Sequence, residues 1–209
     1  MILPVEPSAL FPFLIATLLV EATPGPNMGY LAALSASEGR AAGFRAVLGV
    51  TLGLSVYMLA SVIGIAEIVS RIPPLYAALR WAGVLFLLYL AWEAWQDASE
   101  TSPSKSDEGF ASPFWRGFMA NVLNPKAAVF YVSLLPGFMN MERSAFWVQA
   151  LILGSIHILV SIVIHSAIVL GAARAGSLME NSPLKIAFRR AMAVLIAIIA
   201  IWLAWETRR

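Results

Sequence analysis

The sequence predicts an all-α integral membrane protein: six transmembrane helices forming two inverted three-helix repeats, with the first helix of each repeat discontinuous. Three observations carry this. Of the 209 residues, 60% are hydrophobic and 12% charged, where an ordinary soluble domain carries about 25% charged residues. Six apolar segments follow one another, each reaching the ~20 residues that a spanning helix needs. Two of them are broken by proline and polar side chains, at corresponding places in the two halves.

The first segment covers about residues 9–36 and is interrupted by Ala22-Thr23-Pro24-Gly25-Pro26-Asn27. Unsatisfied backbone in hydrocarbon costs several kcal/mol per group, so such a break persists only where protein or a water-filled cavity receives the freed groups. Glu6 precedes this segment and no Lys or Arg does. That pattern is wrong for a cleaved signal peptide, so the segment is expected to stay in the mature protein. The second segment covers about 43–69, where Gly39 with Gly43 and Gly49 with Gly53 form two GxxxG pairs. Small residues let helices approach closely, and these are assigned to packing, within one chain or between the copies of a homo-oligomer. The third segment covers about 75–96. A solvated linker over about 97–112 follows, rich in Ser, Thr, Pro and acidic residues.

The fourth segment, about 113–137, carries the second break, Asn121-Val122-Leu123-Asn124-Pro125-Lys126. The fifth covers about 145–173 and the sixth about 184–205. One transmembrane domain thus occupies 1–209, with repeat one at about 9–96 and repeat two at about 113–205. Three helices per half is odd, so halves of like fold enter the membrane from opposite sides. Between the segments, Arg40, Arg45, Lys105, Arg116, Arg174, Lys185, Arg189 and Arg190 fall on one side, and Arg71, Arg80, Arg143, Arg208 and Arg209 on the other. The larger set is expected in the cytoplasm together with the linker, which puts both termini outside. Trp81, Trp92, Trp95, Trp115, Trp147, Trp202 and Trp205 mostly stand near segment ends, as interfacial anchors do. A net charge of +2 is too small to argue for nucleic acid. The absence of cysteine excludes a disulfide framework, a thiolate metal site and a cysteine nucleophile.

A helix interrupted at mid-membrane exposes the N-terminus of its second half, whose free N–H groups and positive dipole end suit a carboxylate. Asn27 is expected to cap the half-helix beginning near Met28, and Asn124 the one that opens with Pro125. Lys126 adds a positive charge there. Glu21 lies one turn before the first break, at a depth where a lone carboxylate is costly and marks a functional site by default. It is a candidate to load and release a proton, or a structural partner of Lys126. His157, Ser161 and His165 recur every four residues on the fifth segment. The histidines can relay protons, or they can tie helices together by hydrogen bonds; two histidines alone are a weak metal signal. Glu67 and Glu93 near segment ends read as solvated or headgroup-level carboxylates.

In these residues the chain resembles the LysE/RhtB family of amino-acid exporters. The resemblance rests on Thr23-Pro24-Gly25-Pro26-Asn27-Met28 followed by Gly39, Gly43, Gly49 and Gly53, then on Gly117-Phe118 with Asn121, Asn124-Pro125-Lys126-Ala127-Ala128 and Leu135-Pro136. It implies a multi-pass protein of the bacterial inner membrane that exports amino acids or related small metabolites, driven by proton antiport and without a cofactor or resident metal. Its substrate would meet Pro24, Gly25, Pro26, Asn27, Asn121, Asn124, Pro125 and Lys126, while Glu21, His157 and His165 are the candidates for proton coupling. Many relatives carry aspartate at the position of Asn27, which leaves Glu21 as the acid nearest the first break. Two other classes stand beside this one. A cation or metal exporter would need more buried acids than the segments offer. An intramembrane enzyme using the histidines as bases would need a nucleophile or a metal set.

Overall fold

The computed structural model describes residues 4–63, 72–98, 112–140, 142–179 and 182–206. The helices are α1 (Pro7–Ala22), α2 (Pro26–Glu38), α3 (Arg40–Val62), α4 (Pro73–Asp97), α5 (Pro113–Val122), α6 (Pro125–Val129), α7 (Phe146–Met179) and α8 (Lys185–Glu206). α6 runs on into a π-helical turn, Phe130–Leu134, and a 3₁₀ turn, Leu135–Phe138. Five of these helices open with proline in their first turn, where its fixed φ suits the helix and its missing N–H costs no bond.

α3, α4, α7 and α8 are each long and apolar enough to cross a membrane. α1 with α2, and α5 with α6 and its continuation, pass the same test as pairs bent by 55° and 50°; counted as single broken spans they bring the number to six. Both breaks therefore fall where the sequence puts them. Residues 99–111 of the linker, Glu67, Arg71, Arg208 and Arg209 lie outside the described residues.

Two apolar clusters hold the bundle. One gathers Leu31, Leu34, Val47, Leu87, Val169 and Ile196 from α2, α3, α4, α7 and α8. The other gathers Phe13, Val50, Leu54, Phe130, Tyr131 and Leu153 around the two broken spans. The outward faces are apolar too: Phe11, Leu48, Leu85, Val163 and Ile201 are exposed, which suits a surface surrounded by lipid. All seven tryptophans are exposed at least in part, so none forms a buried cage.

Glycine sets how closely α3 and α5 approach. A methyl group at Gly49 would strike the Phe114 carbonyl, and one at Gly117 would strike the Ala46 carbonyl, so the two backbones touch directly. Gly39 departs from its expected packing role. Nothing lies within 4 Å of the side chain it lacks, and its φ of 87° belongs to the chain reversal between α2 and α3. That backbone region is open essentially to glycine alone. α3 consequently begins at Arg40, three residues before the apolar segment, whose expected end near 69 lies outside the described residues. α7 runs on to Met179, past the expected end near 173.

Candidate functional site

The two breaks face one another. α1 ends at Ala22 and α2 restarts at Pro26; α5 ends at Val122 and α6 restarts at Pro125. A cleft between them is lined by Glu21, Gly25, Asn27, Asn121, Asn124, Lys126, His157 and His165, with Val20, Met28, Leu54, Ala127 and Phe130 as its apolar walls. The cleft thus draws together most of the side chains singled out in the sequence. Pro24, Pro26 and Pro125 do not line it. Their part is to shape the breaks, and Pro24 is exposed.

The second break is built as expected. The Asn124 side chain accepts a hydrogen bond from the Lys126 backbone N–H at 3.0 Å, capping α6. Tyr57 on α3 donates to the Val122 carbonyl at 2.7 Å, satisfying a group freed at the end of α5. The Lys126 ammonium crosses to the other break and donates to the Thr23 carbonyl at 2.8 Å. It therefore serves the freed backbone of α1, a different task from the expected ion pair with Glu21.

The first break corrects one expectation. Pro26 starts α2 and Gly25 is its cap residue, with no side-chain cap bond. Asn27 therefore lies inside the first turn, because proline is suited to the leading position and draws the helix start forward. Freed from capping, the Asn27 amide nitrogen donates to Asn121 Oδ1 at 2.7 Å. This bond joins the two breaks directly. Asn27 Oδ1 and Asn121 Nδ2 are buried with no hydrogen-bond partner, one acceptor and one donor at the place where the two broken spans meet. Asn121 is packed against Gly53, which leaves it room.

Glu21 is buried and sits between the two histidines of α7. His157 Nε2 is 2.9 Å from Glu21 Oε1, and His165 Nε2 is 3.5 Å from Glu21 Oε2. His157 Nδ1 lies 3.1 Å from the Tyr131 hydroxyl, and His165 Nδ1 lies 3.0 Å from Ser161 Oγ. Tyr131, His157, Glu21, His165 and Ser161 thus stand in a polar row, of which Glu21, His157 and His165 line the cleft. The stripe on α7 has a matching carboxylate after all, supplied from the other end of the chain. Sequence spacing has no access to such a pairing. Tyr131 is the one member of the row that no motif or spacing marks.

Glu93 also departs from its expected solvated role. It accepts from Arg116 at 2.5 Å, and Arg116 also lies 3.9 Å from Glu38. The Arg116 side chain is only 7% exposed; a buried guanidinium needs such partners. This cluster stands at the ends of α2 and α4 near the start of α5, away from the cleft. Among the described residues, no group of three or more His, Asp or Glu is disposed to hold a metal ion.

Comparison with known proteins finds relatives of this chain. The chain is 31% identical over 135 residues to an uncharacterized membrane protein of Pseudomonas aeruginosa, a match covering 61% of this chain and 62% of that protein. It is 27% identical over 164 residues to the leucine efflux proteins of Salmonella typhimurium and Salmonella typhi, covering 77% of each chain. No solved structure matches it. The family model for LysE type translocators matches residues 18–207, a stretch that takes in both breaks, Glu21, the histidines of α7 and the whole of α8. The protein is a transporter rather than an enzyme, and the chain belongs to the LysE type translocator family.

Proposed function

We propose that this protein is a secondary transporter that exports amino acids or closely related small metabolites across the bacterial inner membrane in exchange for protons. The observation that carries the reading is the cleft itself: two half-helix N-termini and the Asn27–Asn121 pair lie beside a buried carboxylate flanked by two histidines. Helix N-termini and amide N–H groups suit the carboxylate of an amino acid, and the unpartnered amide oxygen suits its ammonium group. The apolar walls at Val20, Leu54 and Phe130, together with the leucine efflux relatives, favour an uncharged side chain. Glu21 carries the proton. In an alternating-access cycle the two halves, related as inverted repeats around this midplane site, expose the cleft to each side in turn. The linker of about 97–112 lies on the cytoplasmic side.

The test uses purified protein in liposomes loaded with labelled leucine. An imposed pH gradient, acid outside, accelerates efflux, and Glu21→Gln removes the acceleration while the protein elutes as the folded wild type does. Efflux indifferent to the gradient would end the proton reading. Failure to move any amino acid in a panel of neutral and charged candidates would end the substrate reading.

A further inference from the structure

Tyr131 enters the site through a local irregularity. It lies in the π-helical turn Phe130–Leu134, a feature that recurs at functional positions. The ring is 1% exposed and is fixed from several directions. Tyr57 stacks on it at 6.2 Å with the planes 10° apart, Phe130 meets it edge-on at 5.3 Å, and Ser61 Oγ donates to its backbone carbonyl at 3.3 Å. Its hydroxyl has one hydrogen-bond partner among the described residues, His157 Nδ1 at 3.1 Å.

A buried phenol that only accepted from Nδ1–H would keep its own proton unpartnered, and unsatisfied buried donors are costly. Donation from Tyr131 to Nδ1 satisfies both groups. It places the His157 ring proton on Nε2, facing Glu21 Oε1 at 2.9 Å. The Phe130 ring, 3.7 Å away and nearly parallel, covers one face of the imidazole. His165 is placed differently. Its Nε2 is 3.5 Å from Glu21 Oε2, beyond hydrogen-bond reach. Its Nδ1 meets Ser161 Oγ, a hydroxyl that rotates to donate or accept. His165 can therefore carry its proton on either nitrogen.

We propose that Tyr131 is a positioning residue that holds the His157 ring proton on Nε2, toward Glu21 Oε1, leaving His165 as the histidine that exchanges the transported proton with Glu21. The inference rests on the proton-exchange reading above. In the exchange step His165 and Glu21 first close from 3.5 Å to hydrogen-bond distance; the Nε2–H bond of protonated His165 then breaks and an O–H bond forms at Glu21 Oε2. A cationic imidazole and a carboxylate become a neutral imidazole and a carboxylic acid. His157 donates to Oε1 throughout. The groups facing Glu21 are these two histidines of α7, Lys126 of α6, whose ammonium is committed to the Thr23 carbonyl, and Asn27 of α2 across the cleft.

His157 and His165 are the chain's two histidines, so untagged full-length protein labelled with ¹⁵N-histidine gives a spectrum of these two rings alone. In lipid bilayers, His157 shows the tautomer with its proton on Nε2 and Nδ1 bare. Tyr131→Phe releases His157 into mixed tautomers. In the liposome assay, His157→Ala abolishes the gradient-driven acceleration and His157→Gln restores it, because the amide can donate to Glu21 and accept from Tyr131. His165→Gln loses the acceleration. A His157 proton on Nδ1, or retention in His165→Gln with loss in His157→Gln, overturns the proposal. The ring spectra need no transported substrate, so a wrong substrate assignment leaves the test of Tyr131 intact.

Discussion

Glu21 of α1 and His157 of α7 meet at 2.9 Å across 136 positions of sequence. The carboxylate and the imidazole are both buried, and the second histidine stands on the other side of the same carboxylate. The depth of Glu21 in the broken span is thus matched by partners, as a buried carboxylate requires. Glu21→Asp shortens the side chain by one methylene and withdraws the carboxylate from both rings. Gradient-driven efflux is expected to fall sharply while the amount of folded protein stays near wild type, as read by size-exclusion elution in detergent.

The Asn27–Asn121 bond makes the two breaks energetically dependent on each other. Asn27→Ala and Asn121→Ala are each expected to lower thermal stability, and the double variant to lose less than the sum. The coupling should be about 0.5–1.5 kcal/mol, the net worth of a hydrogen bond. A double-mutant cycle by thermal unfolding in detergent measures it. Additive losses would show that the bond joins the breaks in geometry only.

Two ion pairs offer an internal contrast. Arg116, almost wholly buried, bridges Glu93 and Glu38, whereas Arg143 and Glu6 meet at 2.6 Å with about 30% of each side chain exposed. Removing one member of a buried pair costs about 3–5 kcal/mol; Glu38 is 39% exposed, so Arg116→Ala is expected near the lower end. Arg143→Ala should cost about 1 kcal/mol or less, as exposed pairs do. Urea unfolding of the two variants side by side checks the order.

Glycine substitutions separate packing from backbone conformation. Gly49→Ala and Gly117→Ala push a methyl group into backbone carbonyls, and both are expected to reduce the yield of folded protein. Gly39→Ala meets no neighbour yet forces a side chain onto a backbone region that costs about 1–3 kcal/mol. Gly171→Ala, with open space around it, should leave the yield unchanged. Fluorescence-detected chromatography of the four variants ranks them.

The local capping bond at the second break gives a smaller, separable effect. Asn124→Ala removes the acceptor for the Lys126 N–H and is expected to cost about 1 kcal/mol. Asn124→Asp keeps the acceptor and should retain most of the thermal stability.

Much of this architecture is legible in the chain because lipid imposes strict rules. Apolar runs of spanning length with proline breaks inside them arise in few settings besides a bilayer, and both breaks and the candidate spans lie within a few residues of where those rules put them among the described residues. The Asn124 cap is legible for the same local reason. The place of Asn27 is not, because Pro26 competes for the helix start, and a proline at the first position moves the boundary by more than a capping side chain can. The partner of Glu93 is hidden because depth along one helix says nothing about an arginine arriving from another. The pairing of Glu21 with α7 is hidden for that reason too. Tyr131 is invisible on a further ground: a π-helical turn adds a residue to the local repeat, so periodicity points its side chain elsewhere.

The direct backbone contact between α3 and α5 bears on how the molecule can move. With Gly49 against the Phe114 carbonyl and Gly117 against the Ala46 carbonyl, no side chain lies between the helices there to change rotamer and absorb a displacement. The pair thus joins one half of the chain to the other by backbone contact. In the transport cycle proposed above, a displacement between the halves is therefore not taken up at this contact, and Asn121, anchored at the end of α5 beside Gly53, stays with it.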